Sequence, residues 1–224
     1  MLTSPPHGCL QIPAELALLN RLETLSLDEN NLLGSIPVQL FTMPSLKTLT
    51  LGTNRFAGTI PTQVGLATGL TTLRLGGNLF EGLVPTQLNQ LTRLVSLSLE
   101  ANPMLTGRIA TEYGAFSSLE SLSLSNTDIR ARIPTEYGGL TNLQELKIAS
   151  TLVGGEIPTQ FARLTRLRIL DLTGSRFRQA IPTFMGQLTD LCRFCPVGVM
   201  GKRIAACNSL TSFRPLVHSY SLVR

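Results

Sequence analysis

The sequence has no tryptophan, and aromatic residues fill only 5% of its 224 positions. A binding surface built on large rings is therefore not expected. Charged residues are also sparse, at 15%, and Leu, Thr, Ser and Gly dominate instead. No apolar run approaches the eighteen or so residues that would span a membrane. The opening, MLTSPPHGCL, carries neither a basic start nor an apolar stretch, so no secretory signal is visible. Either the protein stays inside the cell, or the reading frame begins downstream of the true start. None of the ten asparagines sits in an N-x-S/T acceptor.

Residues for catalysis are equally scarce. The two histidines, His7 and His218, lie near the chain ends. No H-E-x-x-H, G-x-S-x-G or dinucleotide-binding glycine pattern occurs. Gly201-Lys202 is not a phosphate loop, because Pro196 replaces the upstream glycine and Arg203 stands where a magnesium-binding hydroxyl belongs. The cysteines, Cys9, Cys192, Cys195 and Cys207, leave three readings open. They are a cap disulfide such as Cys195 to Cys207, free buried thiols, or a zinc site completed by His218. The zinc spacing matches no common finger. No cofactor, metal site or enzymatic activity is expected.

What the chain does have is 43% hydrophobic content, rich in leucine, enough for one sizeable domain or a short array. Its net charge of +5 is uneven. Nine basic and twelve acidic side chains precede residue 161, and ten basic against two acidic follow. Such an asymmetry suits either a solvated basic end or a surface for acidic partners.

The leucines are periodic. L-x-x-L-x-L begins at Leu22, Leu46, Leu70, Leu94, Leu119, Leu143 and Leu167, in steps of 24 residues with a single step of 25. A second series keeps phase with it over eight units, from Ile12-Pro13 and Ile36-Pro37 to Ile157-Pro158 and Ile181-Pro182. The extra residue falls near Pro103-Met104. Two series in register over this length define a repeat array.

The pattern L-x-x-L-x-L-x-x-N-x-L/F-x-G-x-I-P-x-x-L-x-x-L-x-x resembles the plant-type leucine-rich repeat over residues 12 to about 194. That resemblance implies an α/β right-handed solenoid, with a parallel concave sheet and short helical or 3-10 segments on the convex side. It also implies a binding role of the kind found in receptor ectodomains. The expected organisation is a short N-terminal segment at 1–11, some seven to eight units of 24 residues at 12–194, and a C-terminal cap or tail at 195–224. Plant-type relatives usually carry a longer, cysteine-bearing N-terminal cap than the segment seen here.

Elementary chemistry leads to the same coil. In Leu73-x-Leu75 the alternation turns both leucines inward and leaves Thr72, Arg74 and Gly76 outward. One short strand per unit is expected. Asn30, Asn54, Asn78 and Asn102 recur three residues after the last strand leucine, where a buried amide can bond adjacent turns. Thr127, Thr151 and Ser175 take that place later, and the ladder should loosen there. Gly34, Gly58, Gly82, Gly107 and Gly155 mark a tight turn or positive φ. Ala131 and Gln179 break that pattern. Proline after isoleucine suits the first residue of a short helix. Tyr113, Phe116, Tyr137 and Phe161 keep register with leucines and belong to the core. Phe184 is expected outside, under the tail. Leu191 should open an eighth strand, with regular pairing failing at Pro196.

Outward strand positions make the candidate binding face. They are Thr24, Ser26 and Asp28, followed by Thr48, Thr50, Thr72, Arg74, Ser96, Ser98, Glu100, Ser121, Ser123, Glu145, Lys147, Asp171 and Thr173. The face is small, polar and free of aromatics, and it suits a peptide or polar ligand. The expected function is a non-enzymatic protein- or peptide-binding module, a receptor-like ectodomain or a fragment of one. Its alternatives are an intracellular scaffold, or a binder of acidic partners (nucleic acid or an anionic surface) through Arg163, Arg166, Arg168, Arg176 and Arg178. Nucleic acid is the least expected partner, and a monomer is expected. Membrane attachment would need a segment not in this chain. Location is the cell surface by resemblance, and the cytoplasm if the chain is complete as it stands.

Overall fold

Where two leucines alternate with polar residues the backbone extends, and it does so once per coil at the same phase. The computed structural model describes residues 10–177 and 181–195. Eight short strands arise in this way: β1 (Thr24–Ser26), β3 (Thr48–Thr50), β5 (Thr72–Arg74), β7 (Ser96–Ser98), β9 (Ser121–Ser123), β11 (Glu145–Lys147), β13 (Ile169–Asp171) and β15 (Arg193–Cys195). They form one parallel sheet in chain order. Leu25 pairs with Leu49, Leu49 with Leu73, and so on through Leu170 and Phe194. The inner leucines are buried, from Leu49 to Leu170 without residual exposure. A slip of one residue would expose this whole row to water, which fixes the register.

Each coil adds a second strand, where only one was expected. These are β2 (Leu33–Gly34), β4 (Arg55–Thr59), β6 (Leu79–Leu83), β8 (Asn102–Arg108), β10 (Thr127–Arg132), β12 (Leu152–Gly155) and β14 (Arg176–Phe177), and they build a seven-stranded parallel sheet beside the first. Each longer strand points a single apolar side chain inward, such as Phe56, Phe80, Leu105, Ile129 or Val153. The Phe56 and Phe80 rings stack at 6.3 Å. The extra residue near Pro103 is absorbed within β8, where the pairing with β10 shifts register.

Positive φ recurs in these second strands, at Gly34, Gly58, Gly82, Gly107 and Gly155. Ala131 keeps the same turn at φ 103 despite its methyl group, a conformation that costs a non-glycine residue on the order of 1–3 kcal/mol. Gln179 lies outside the described residues.

Between the sheets runs the asparagine ladder. Asn78 Oδ1 accepts the N–H of Phe56 at 3.0 Å, and its amide donates to the carbonyls of Leu51, Leu75 and Gly76. Asn54 and Asn102 repeat the arrangement. Asn30 is exposed, and among the described residues it bonds to Leu27 and Asp28 of its own turn. Thr127 reaches a single carbonyl, that of Leu124 at 2.7 Å, so the bridge to the preceding coil is lost there. Ser175 restores a bridge by donating to the carbonyl of Ile148, one coil back.

The outer side turns in 3-10 helices of five residues, from Ala14–Leu18 to Thr183–Gln187. Proline precedes seven of the eight described helices, and Ala110 the other, instead of occupying their first residue. In the 134–139 segment the Pro134 carbonyl accepts the N–H of Tyr137 at 3.2 Å, so the ring sets φ while its own oxygen closes the turn. Neighbouring helices approach closely where glycine permits it. At Gly138 a Cβ would lie 2.5 Å from Gln160 Cβ and 2.7 Å from the Gln160 carbonyl oxygen. Tyr113, Phe116, Tyr137 and Phe161 are buried in the core as expected. Phe184 is half-buried at its margin. Residues 1–9, 178–180 and 196–224, including Pro196 and the expected tail, lie outside the described residues.

Candidate ligand-binding face

Parallel in-register pairing stacks equivalent side chains about 4.8 Å apart. The first outward column of the larger sheet is therefore Thr24, Thr48, Thr72, Ser96, Ser121 and Glu145, continued by Ile169 and Arg193. The second is Ser26, Thr50, Arg74, Ser98, Ser123, Lys147 and Asp171, ending at Cys195.

These positions are not equally available. Thr50 and Ser123 are buried at 6% and 5% exposure. Thr50 donates to Ser26 Oγ at 2.9 Å, and Ser123 donates to Glu100. Carboxylates from neighbouring coils fold over glycines. Asp28 accepts the N–H of Gly52, and the stem of Glu100 lies over Gly76, whose added Cβ would come within 2.9 Å of it. Asp171 accepts both the N–H and the hydroxyl of Thr173, at 3.1 and 2.7 Å, and Arg193 stands 3.9 Å away. Lys147 pairs with Glu145 at 2.7 Å, both about one third exposed. Thr48, Thr72, Ser96, Ser98 and Ser121 are half-buried, and Arg74 is exposed. No ion pair among the described residues involves Arg74.

A feature not expected from the sequence lies beside the last strands. Gln144, Arg166, Arg168 and Asp190 line an open depression of about 420 Å³. Arg166 donates to Asn142 Oδ1 at 2.7 Å, which orients its guanidinium. The residues that meet here are about 24 apart in the chain, so only the repeat phase could have brought them to notice. On β15, Arg193 is held protonated beyond its ordinary range, first by a hydrogen bond with Cys195 and further by Asp171. Cys192 and Cys195 form no disulfide with each other or with any other described residue, and Cys192 donates to the Arg168 carbonyl. Cys9, Cys207 and both histidines fall outside the described residues, and with them the disulfide and zinc readings. Among the described residues no three His, Cys, Asp or Glu side chains converge, and no helix is long and apolar enough to cross a membrane. The face offers hydroxyls, hydrogen-bonded carboxylates and the exposed Arg74, a set for hydrogen-bonding an extended polar ligand.

Residues 21–43 match the family described as Leucine Rich Repeat. No curated protein matches the sequence. Among solved structures, the plant peptide hormone receptor RGFR1 in complex with RGF2 is 34% identical, with a TM-score of 0.79 over 84% of this chain and 30% of that one. The Arabidopsis receptor kinase HAESA, in complex with the peptide hormone IDA and the co-receptor SERK1, is 31% identical, with a TM-score of 0.76 over 82% and 31%. A plant ice-binding protein is 29% identical, with a TM-score of 0.68 over 75% and 54%. The chain thus spans under a third of the length of the two receptor chains.

Proposed function

We propose that this chain, a plant-type leucine-rich repeat protein that resembles receptor ectodomains, is a non-enzymatic recognition module that binds a peptide or extended protein segment along its concave sheet. One observation carries the reading: an uninterrupted eight-stranded parallel sheet with two outward columns of hydroxyls and a free arginine, Arg74, among them. Seven inter-strand spacings of about 4.8 Å give roughly 34 Å, the length of about ten extended residues. Hydroxyls can donate or accept, so the columns suit main-chain groups of such a segment. Arg74 supplies an anchor of the type that dominates interfaces. Arg166 and Arg168 suit a carboxylate at one end of the ligand, because a guanidinium fork matches two oxygens. RGFR1 is described as a plant peptide hormone receptor in complex with RGF2, and HAESA as in complex with the peptide hormone IDA, which supports the same class of partner here.

The test is a displayed random-peptide selection on the immobilised full chain, followed by affinity measurement. Enriched peptides should weaken at least tenfold against a variant carrying Arg74→Ala, Ser98→Ala and Lys147→Ala with an unchanged melting temperature. Peptides indifferent to that variant, or no enrichment at all, would overturn the proposal.

A second reading rests on the outer edge. Thr62, Thr86, Thr111, Thr135, Thr159 and Thr183 recur once per coil, and all are exposed. Such a row offers ordered water a repeating set of partners, and one similar structure is a plant ice-binding protein. Freezing-point hysteresis of the purified chain, lost on Thr135→Lys, would support it. Absence of hysteresis removes it.

A further inference from the structure

The lateral sheet carries a cluster of arginines. Arg108 on β8, Arg130 and Arg132 on β10, and Arg176 on β14 are all exposed. Arg130 lies directly opposite Arg108, while Arg132 faces Gly154, which in turn faces Arg176. Like charges opposite one another on adjacent strands destabilise a sheet, so this cluster works against the fold. The ion pairs among the described residues are Lys47–Glu23, Lys147–Glu145 and Arg193–Asp171, and none involves these four arginines. Asp128 on β10 and Glu156 just after β12 are exposed and pair with none of them.

The backbone makes room for this cluster. A Cβ on Gly155, at φ +91, would lie 2.9 Å from Arg132 Cγ and 3.2 Å from its Cδ. The stem of Arg132 therefore rests on a bare glycine of the next coil, and Gly154 puts no side chain between Arg132 and Arg176. Toward β6 the exposed face turns aliphatic around the single carboxylate of Glu81. Leu79, Leu83 and Met104 are 53%, 69% and 57% exposed, with Leu83 opposite Thr106 and Met104 opposite Glu81. One exposed leucine is ordinary, but three aliphatic side chains beside an unpaired basic cluster form a two-part surface.

We propose that this lateral face docks an acidic protein segment bearing aliphatic residues. Its Asp or Glu side chains would engage Arg108, Arg130, Arg132 and Arg176, and its aliphatic residues would cover Leu79, Leu83 and Met104. The guanidinium fork matches a carboxylate bidentately, and the pairing relieves the repulsion built into the sheet. A nucleic acid would use the arginines through its phosphates but gains nothing from the aliphatic half. The site is separate from the concave face and stands whether or not that face binds a peptide.

The test uses the full chain and a fluorescein-labelled octapeptide of alternating glutamate and leucine. Binding should be measurable and should fall with salt. It should weaken at least tenfold on combined substitution of Arg108, Arg130, Arg132 and Arg176 by glutamine, and at least threefold on Leu79→Ser with Leu83→Ser. Arg130→Gln alone, which removes a like-charged neighbour and should melt no lower than the parent, should already weaken binding several-fold. Unchanged binding in the fourfold variant, or no binding to the parent, would overturn the proposal. So would single-stranded DNA of equal charge that binds more tightly than the peptide and ignores the leucine substitutions.

Discussion

Asn78 holds Phe56 one coil back: its Oδ1 accepts the Phe56 N–H at 3.0 Å, while its amide donates to the Leu51 carbonyl at 2.9 Å. The side chain is 3% exposed, so these groups have little access to water. Asn78→Ala leaves several buried backbone groups unpaired and should cost about 2–4 kcal/mol. Thr127→Ala removes one bond, to Leu124, and should cost about 1 kcal/mol. Urea unfolding of the two variants measures the difference, and equal losses would contradict the ladder as described.

Ala131 occupies at φ 103 a turn that glycine fills in five of the other coils. Ala131→Gly should raise stability by about 1 kcal/mol, since the relieved strain exceeds the added unfolded-state entropy. A lower melting temperature would show that the methyl group contributes more by packing than it costs in strain.

Gly138 meets Gln160 across the coil boundary with no space for a methyl group. Gly138→Ala should destabilise by about 1–3 kcal/mol through overpacking, although alanine favours helical turns elsewhere. Thermal melting decides between these opposed effects.

Tyr113 and Tyr137 bury their hydroxyls without a protein partner among the described residues. Burial is the main cause that raises both pKa values above the ordinary 10.0, with Glu112 adding to the effect at Tyr113 and Tyr113 adding to it at Tyr137. The folded state therefore keeps both protons at a pH where the unfolded chain releases them. This contribution is fully present below pH 10 and is lost as pH climbs above it, by about 1.4 kcal/mol per pH unit for each tyrosine. Urea melts at pH 9 and pH 11 should diverge less for the Tyr113→Phe, Tyr137→Phe double variant than for the parent. At neutral pH the double variant should be no less stable, because the lost hydroxyls carried no protein hydrogen bond.

The coil phase, the inward leucines and the buried amides were legible because each repeats in the sequence at a fixed offset. The second sheet was not. Its longer strands bury one apolar side chain apiece, Phe56 or Val153 for example, so no apolar alternation announces them. Proline sits one residue earlier than expected because a five-residue 3-10 turn uses its carbonyl as the first acceptor. Thr50 and Ser123 were placed on the right strands, but their shielding comes from neighbouring coils, including Ser26 and Glu100 more than twenty residues away. The Arg166 and Arg168 depression was hidden for the same reason, since Gln144 and Asp190 complete it from the flanking coils.

The most direct test of concave-face recognition is photocrosslinking. A selected peptide carrying a benzophenone group is irradiated on the full chain, and the attachment sites are mapped by mass spectrometry. Attachment within Thr48–Thr50, Thr72–Arg74, Ser96–Ser98 and Glu145–Lys147 is the predicted result. Attachment confined to the outer 3-10 helices or to the lateral strands would contradict it.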